Sequence, residues 1–270
     1  MYWAKLNRRQ LGQLDRRTPV VLPIGAIEQH GDHLPLETDT LLGGLMCAAL
    51  ESRMPQELLV LPAVSVGCSA HHLDFPGTLS VRHEQLVAYV ADIVESVVSH
   101  GFVNLLLFNS HGGNLGALQV MTEQLGHRHR HCNLASTSWW RLAGQELLAF
   151  NESGPGGVCH AGEFETSLML HLAPDLVDRE AMQRGGNISP GGPRLPAYFA
   201  GDMMRASPAS VYRSMRELTG NGVFGDPFAA TARKGELMLA LIVEKFAGLV
   251  QELRQLPPPA STPVQPVNRS

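Results

Sequence analysis

The chain has 270 residues, of which 44% are hydrophobic and 17% charged, and its formal net charge is −4 at pH 7. This length and apolar content suffice for a large buried core, and there is no basic surplus to neutralise a nucleic-acid backbone. Nucleic acid is therefore not an expected partner. Because no apolar run approaches the roughly 20 residues of a membrane span, the sequence predicts a cytoplasmic protein without membrane contact.

Apolar segments predict β-strands, and segments with helical spacing of apolar residues lie between them. The predicted strands are residues 20–25, 58–64, 103–109 and 132–138. The predicted helices are residues 40–53, 84–100, 114–125 and 235–256. Because strand and helix alternate, the sequence predicts an α/β fold, a three-layer α/β/α sandwich with a mostly parallel sheet.

The domain organisation follows from the same pattern. Residues 1–256 are predicted to form a single domain, and the proline-led residues 257–270 a disordered tail. Residues 185–231 are rich in glycine, proline and serine and have little periodicity. Since this segment is too long for a simple connection, we expect it to cover the active site or to contact another subunit.

Chemically distinctive side chains follow every predicted strand at its C-terminal end. They are Glu28 and His30 after the first strand, His71 and His72 after the second, His111 after the third, and Trp139 and Trp140 after the fourth. In open α/β sheets, ligands bind at the carboxyl ends of the strands. We therefore expect these side chains to line one site, in which His71 and His72 contact the substrate.

The first cluster has the spacing of a metal site. Glu28 and His30 lie two residues apart, and if the chain is extended there, both side chains project to one side and can meet one ion. Asp39 can complete the set, because a carboxylate can bridge two cations roughly 3.5–4 Å apart. His33 is expected to orient Asp39 or a neighbouring ligand.

His111 lies in a glycine turn, NSHGGN, between the third strand and the following helix. Gly112 and Gly113 let the backbone bend sharply and approach a ligand closely. Such a turn can instead hold phosphate, but the lysine of the GxxxxGK[ST] pattern is missing. With acidic residues elsewhere in the cluster, a metal-ligand role for His111 is the favoured interpretation.

A further pair lies at the start of a predicted helix, with His160 just before it and Glu165 in its first turn. Glu165 could complete the coordination of a second metal, while His160 could pass a proton to a leaving nitrogen. Alternatively, Glu163 and Glu165 only complement the positive end of the helix dipole. The functional interpretation is favoured for Glu165, and both stay open for Glu163.

Residues 22–35 (LPIGAIEQHGDHLP), 75–78 (FPGT), 109–114 (NSHGGN) and 160–167 (HAGEFETS) together resemble the creatininase (creatinine amidohydrolase) family. The resemblance implies a creatininase-like α/β sandwich with a dinuclear zinc, manganese or iron centre, assembled as a homohexamer. It implies these roles: Glu28 and His111 bind one metal, His30 binds the other, Asp39 bridges them, His160 helps catalysis, and Trp140 lies near the substrate pocket.

The chain departs from creatininases after His111, where Gly112 and Gly113 replace a tyrosine and a metal-binding glutamate. The second metal thus loses a ligand, which Glu165 is expected to replace. The His-Gly-Gly-Asn form resembles relatives that deformylate formamides in flavin and deazaflavin biosynthesis or trim the mycofactocin precursor peptide. Creatinine is therefore not the expected substrate.

The predicted function is metal-dependent hydrolysis of a non-peptide C–N bond, in a cyclic amide or a formamide, by a metal-activated water. The expected cofactors are two divalent ions, zinc first, with manganese or iron as alternatives. One rival is a dinuclear phosphoesterase, which would need more basic residues near these motifs. The other is a non-catalytic α/β binding or assembly protein that has kept the fold.

Overall fold

The computed structural model describes residues 1–188, 195–196, 198–199, 202–205 and 207–257. The strands are β1 Val20–Ile24, β2 Leu59–Val60, β3 Asn104–Asn109 and β4 Asn133–Ser138. The helices are α1 Arg8–Gly12, α2 Thr38–Arg53, α3 His83–Ser99, α4 Leu115–Arg128, α5 Trp139–Leu142, α6 Gly144–Leu147, α7 Glu163–Leu172, α8 Met215–Leu218 and α9 Ala232–Gln255. The predicted tail lies outside the described residues apart from Pro257.

The strands form one parallel sheet in the order β2-β1-β3-β4. Val20 is aligned with Leu105, and Leu105 with Leu134, so the two long pairings run in register along the whole of β1 and β3. Because all the strands are parallel, their carboxyl ends lie at one edge of the sheet. The predicted α/β fold with a parallel sheet is confirmed.

Alternate residues of the central strands enter two different cores. Val20, Leu22 and Ile24 pack with apolar residues of α3 and α4, whereas Val21 packs with those of α2, α7 and α9. Successive side chains of a strand point to opposite faces, so the sheet lies between two helical layers. This is the predicted three-layer sandwich.

The outer helices are held by narrow apolar stripes. In α3 the buried residues Leu86, Val90, Val94 and Val97 recur at helical spacing and face the sheet. Each large side chain buried in this way contributes about 1.5–3 kcal/mol. Within the described ranges, no helix is both long enough and apolar enough to cross a membrane.

The second strand is shorter than predicted, Leu59–Val60 instead of residues 58–64. Leu61 still donates its backbone N–H to Val21 O at 2.9 Å, and Val64 donates to Pro23 O at 2.9 Å. Between them Pro62 has no N–H to contribute, which interrupts the ladder. The segment therefore follows β1 along its length without forming a continuous strand.

Candidate metal centre

The predicted ligands meet at the carboxyl edge of the sheet. Glu28 and His30 lie in the loop after β1, Asp39 in the first turn of α2, His111 directly after β3, and Glu165 in the first turn of α7. All five are buried. Residues that are up to 137 positions apart in sequence thus form one cluster because parallel strands end together.

His30 is oriented by its own loop. Its Nδ1–H donates to the carbonyl oxygen of Glu28 at 3.0 Å, so in the neutral ring Nε2 carries the free lone pair. Nε2 lies 3.5 Å from Asp39 Oδ1 and 3.9 Å from Glu165 Oε2. The ring therefore directs a lone pair towards a point that it shares with two carboxylates, the arrangement of a metal-binding histidine.

His111 is held in the same manner from the other side. Its Nε2 donates to the carbonyl oxygen of Cys68 at 3.1 Å, and its Nδ1 lies 3.0 Å from Asp39 Oδ2. The two oxygens of Asp39 thus face different histidines, Oδ1 towards His30 and Oδ2 towards His111. A carboxylate placed between two imidazoles in this way can bridge two cations.

Three ligand atoms of the cluster have no hydrogen-bond partner among the described residues, although they are fully buried. They are Glu28 Oε2, His30 Nε2 and Asp39 Oδ2. His111 Nδ1 approaches Asp39 Oδ2 closely, but without the alignment of a hydrogen bond. A buried polar atom without a partner costs about 1–3 kcal/mol, which bound cations would remove.

The donor atoms also lie close enough to share cations. Glu28, His30 and Asp39 can place one ligand atom each within 4.8 Å of one another. A second such group within the described residues is His30, His160 and Glu165. Imidazole nitrogens with carboxylate oxygens suit zinc, manganese and iron, so the residues present fit divalent cations.

The buried histidines and carboxylates of the cluster shift one another's pKa values. Burial by itself raises the pKa of Glu28, but His111 and His72 outweigh it and hold that pKa well below its usual range. Burial likewise opposes the charge on His30, yet Asp39 raises the His30 pKa to about 9. Burial also opposes the charge on His111, but the carboxylates of Glu28 and Asp39 outweigh it and raise the pKa of His111 well above its usual range. Without cations, these histidines therefore hold protons against the carboxylates.

Glu165 is presented to the cluster by a tight turn before α7. Its Oε2 accepts the backbone N–H of Ala161 at 2.6 Å, and Ala161 has a φ of 54°, a left-handed conformation that is uncommon for alanine. Burial raises the pKa of Glu165 to about 7, against the lowering effect of His30. Glu165 can therefore change its protonation near neutral pH.

Gly113 leaves no room for a side chain. A Cβ atom there would lie 2.2 Å from Cys68 O and 2.4 Å from His111 Nε2. A glutamate at this position would displace the contact that orients His111. Glu165 brings a carboxylate oxygen to 3.9 Å from His30 Nε2 from a different element, and its role as the replacement ligand stays a prediction.

The predicted substrate contacts His71 and His72 differ in exposure. Both line the cavity, but His71 is half-buried whereas His72 is 1% exposed. His72 Nδ1 lies 2.8 Å from Gln29 Nε2, and His72 Nε2 lies 3.4 Å from Glu28 Oε1. Burial lowers the pKa of His72 to about 3, so the ring is neutral. His72 thus lies against Glu28 at the wall of the cavity, with both ring nitrogens facing protein atoms.

The side chains of Glu163 and His33 make their hydrogen bonds outside the ligand cluster. Glu163 accepts the backbone N–H groups of Glu152 and Ser153 at 3.0 Å and 2.9 Å, and it pairs with Lys234 of α9. Glu163 therefore anchors this loop and helix α9, so its contacts favour a structural role over a functional one. His33 Nε2 is hydrogen-bonded to Thr166 Oγ1 at 3.0 Å, so it supports α7 rather than Asp39.

A cavity of about 440 Å³ opens over the cluster. Trp140 forms part of its wall, and further lining residues come from the described part of the predicted covering segment: Met203, Met204, Met215 and Phe224. Arg141 also lines it and is exposed. The sequence did not single out Arg141 or Gln29. Gln29 could have been noticed from its position between Glu28 and His30.

The fold and the cluster define a class: an α/β protein with a buried histidine–carboxylate cluster, able to hold divalent cations, at the carboxyl edge of a parallel sheet. The family model described as Creatininase: Creatinine amidohydrolase matches residues 4–250. The chain belongs to the creatininase family and is a hydrolase of that family, which confirms the resemblance seen in its motifs.

Relatives with named activities match most of the chain. It is 33% identical over 250 residues to the mycofactocin precursor peptide peptidase of Mycobacterium tuberculosis, covering 89% of this chain and 88% of that protein. It is 29% identical over 254 residues to the creatinine amidohydrolase of Pseudomonas putida, covering 88% and 90%. A solved structure described as Creatininase Mn superimposes with a TM-score of 0.78 at 26% identity, covering 94% of this chain and 99% of that one.

Proposed function

We propose that this protein is an amidohydrolase that uses two divalent cations, zinc first with manganese or iron as alternatives, to hydrolyse the C–N bond of a cyclic amide or a formamide. The observation that carries this function is the convergence beneath a cavity of three buried ligand atoms, on Glu28, His30 and Asp39, that have no hydrogen-bond partner within the described part of the chain. When bound, such cations supply Lewis acidity and lower the pKa of water towards neutrality.

In this proposal, Glu28 and His111 hold one cation, His30 and Glu165 hold the other, and Asp39 bridges them. The support is geometric, since His30 Nε2 lies between Asp39 and Glu165 at 3.5 Å and 3.9 Å. On the other side, His111 Nδ1 lies 3.0 Å from Asp39.

His160 is proposed to move the proton. Its Nε2–H donates to the carbonyl oxygen of Gln29 at 2.7 Å, so its Nδ1 is the basic nitrogen, 3.5 Å from Glu28 Oε1. Burial lowers the pKa of His160 well below its usual range, which keeps the ring neutral. Nδ1 can then take a proton from the attacking water and deliver it to the leaving nitrogen. Glu165, whose pKa burial raises to about 7 in the metal-free protein, is the alternative proton donor to the leaving nitrogen where it does not hold a cation.

The size and lining of the cavity support a compact substrate. About 440 Å³ lies in the lower part of the range of roughly 300–1,000 Å³ found for small-molecule sites. Trp140 and the methionines offer apolar and polarisable contacts to a flat amide, and His71 a polar one. His72 is proposed to support Glu28 instead of the substrate, because both its ring nitrogens already face protein atoms.

A second candidate substrate is the amide bond of a short peptide. The relative at 33% identity is named a precursor peptide peptidase. Arg141 lines the cavity and has no ion-pair partner among the described residues, so its guanidinium is free to bind a terminal carboxylate. A phosphoesterase is less well supported, because Arg141 is the one lysine or arginine among the described lining residues.

The test begins with elemental analysis of protein purified without chelator, for which two equivalents of zinc, manganese or iron are expected. The loaded protein is then given cyclic amides, N-formyl amines, peptides with free or amidated C-termini, and a generic phosphate ester. Hydrolysis of cyclic amides or formamides supports the first proposal, and cleavage that requires a free C-terminus supports the peptide candidate. Absence of bound metal after reconstitution, or hydrolysis of the phosphate ester alone, would contradict both.

We further propose, on the basis of family membership, that the chains assemble as a homohexamer and work in the cytoplasm without a membrane or nucleic-acid partner.

A further inference from the structure

Gln29 lies between two proposed ligands and is 5% exposed. Its side-chain oxygen accepts the backbone N–H of Gly31 at 2.9 Å, and its Nε2 donates to the carbonyl oxygen of Gly222 at 3.0 Å. Rotating the amide by 180° would set a donor against a donor at Gly31 and an acceptor against an acceptor at Gly222. The two backbone contacts therefore fix which end of the amide is nitrogen, and this nitrogen also lies 3.2 Å from His160 Nε2, whose N–H donates to the backbone carbonyl of Gln29.

The fixed amide determines where His72 carries its proton. Gln29 Nε2 lies 2.8 Å from His72 Nδ1, and an amide nitrogen can only donate, so His72 Nδ1 must accept. In the neutral ring, the proton is then on Nε2, 3.4 Å from Glu28 Oε1. Glu28 Oε1 thus faces an N–H group, while Glu28 Oε2 keeps no hydrogen-bond partner among the described residues.

This assignment separates His72 from the ligands. Glu28, His72 and His160 can bring their ligand atoms within 4.8 Å of one another, which by distance alone would make a third metal group. A nitrogen that carries a proton cannot coordinate a cation. Of the two histidines in that group, only His160 has a ring nitrogen with a free lone pair, Nδ1, because its Nε2–H donates to the backbone carbonyl of Gln29.

We propose that Gln29 is a positioning residue that locks His72 as the Nε2–H tautomer, so that this N–H faces Glu28 Oε1 at 3.4 Å and His72 does not bind metal. The tautomer depends only on contacts within the chain. Its consequence for cation binding rests on the proposed function, in which Glu28 is a ligand. Groups that orient metal ligands typically affect metal affinity or activity by roughly 10–100-fold when they are lost.

The experiment is long-range ¹H–¹⁵N NMR of histidine-labelled protein, recorded metal-free and zinc-loaded, with the His72 signals assigned from their loss in His72→Asn. The expected wild-type spectrum has a protonated Nε2 and an unprotonated Nδ1. In Gln29→Met, which removes the amide donor, we expect a mixture of tautomers and at least roughly tenfold weaker zinc binding. Gln29→Glu presents an acceptor and should move the proton of His72 to Nδ1.

Thr78→Val is the matched control, because Thr78 Oγ1 accepts the backbone N–H of Gln29 at 3.1 Å without touching its amide side chain. It removes a buried hydrogen bond at the same residue and should keep the wild-type tautomer. A wild-type spectrum with the proton on Nδ1 would overturn the proposal even if no variant folds, and so would an unchanged spectrum in both Gln29 variants. If the expected tautomers are seen in protein that binds no metal, the positioning role stands and the proposed function fails.

Discussion

In the proposed centre, Asp39 is the residue that both cation sites share. Its oxygens face His30 and His111 separately, and it lies in the first turn of α2. The positive end of a helix dipole stabilises a carboxylate there. Asp39 thus lies beside His30 of the loop after β1 and His111 of the loop after β3.

Asp39→Asn should abolish binding of both cations, because it keeps the size of the side chain and removes the charge that both sites share. We expect at least a hundredfold loss of metal affinity, beyond the roughly 10–100-fold typical of supporting residues, and loss of hydrolysis. Elemental analysis and activity assays measure this. Asp32→Asn, an exposed change in the loop before α2, is the control. Two retained metals in Asp39→Asn would refute the bridging role.

Metal affinity should rise with pH between about 6 and 9. The pKa of His30 is about 9 without cations, and that of His111 is also raised, so both rings are protonated at neutral pH and must lose protons to bind. For each proton released, affinity changes about tenfold per pH unit. Calorimetric titrations with zinc in buffers of different ionisation enthalpy measure the number released. An affinity that is independent of pH over this range would contradict the assignment.

Gly113→Ala should disturb the centre, whereas Gly112→Ala should not. The new methyl group at position 113 would overlap Cys68 O and His111 Nε2, while nothing lies within 4 Å of a Cβ at position 112. Overpacking of this kind costs about 1–3 kcal/mol and should move His111, lowering metal affinity at least tenfold. Thermal unfolding and zinc titration compare the two variants. Equal behaviour would show that the close packing at Gly113 has no bearing on the site.

The candidate metal ligands could be predicted from sequence, because each follows an apolar strand or lies at the start of a helix. Sequence did not show the partners of His33 and Glu163, which come from α7 and α9. It also did not show the amide contacts of Gln29. Those partners lie on elements more than 40 residues away, and no local pattern encodes their pairing.

At the scale of elements, a buried ion pair ties α7 to α9. Glu163 is fully buried and Lys234 is 6% exposed, and Lys234 also donates to the carbonyl oxygen of Ala229 at 2.8 Å. The same carboxylate fixes the loop at Glu152 and Ser153. The helix that carries Glu165 is therefore anchored at its first residue.

Lys234→Met should destabilise the protein by about 3–5 kcal/mol, because it leaves the Glu163 carboxylate buried without its cation. Denaturant unfolding measures the loss. The double variant Glu163→Gln with Lys234→Met should recover part of it, since the uncompensated charge is gone. Arg233→Met, an exposed neighbour that pairs with Glu236, should change stability by less than about 1 kcal/mol. A Lys234→Met protein as stable as this control would refute the anchoring role.

Element boundaries were predictable where apolar periodicity is local. β1, β3, β4 and the longer helices lie within about three residues of the predicted bounds, because each buries a regular stripe or run. β2 was predicted too long, since its apolar run contains Pro62. The segment after position 185 has little periodicity, so its structure could not be predicted. Met203 and Phe224 of this segment line the cavity through tertiary contacts, which a local pattern does not encode.

For the whole molecule, the homohexamer is a prediction for solution. Light scattering coupled to size-exclusion chromatography should give a mass six times the 29.3 kDa of one chain. Apolar side chains that are more than half exposed, such as Leu73, Leu79 and Phe228, are candidates to be covered in such an assembly. A monomeric mass at micromolar concentration would contradict the prediction.

The cavity has a floor and a wall of different origin. The floor consists of side chains at the ends of strands and helices, whereas Met203, Met204, Met215 and Phe224 of the wall come from the long connection between α7 and α9. Connections of this kind accept sequence change more readily than the elements they join. Substitutions in the wall can therefore alter which amide is admitted while the hydrolytic chemistry beneath stays the same, so one ancestral scaffold can diversify its substrates without rebuilding its reaction centre.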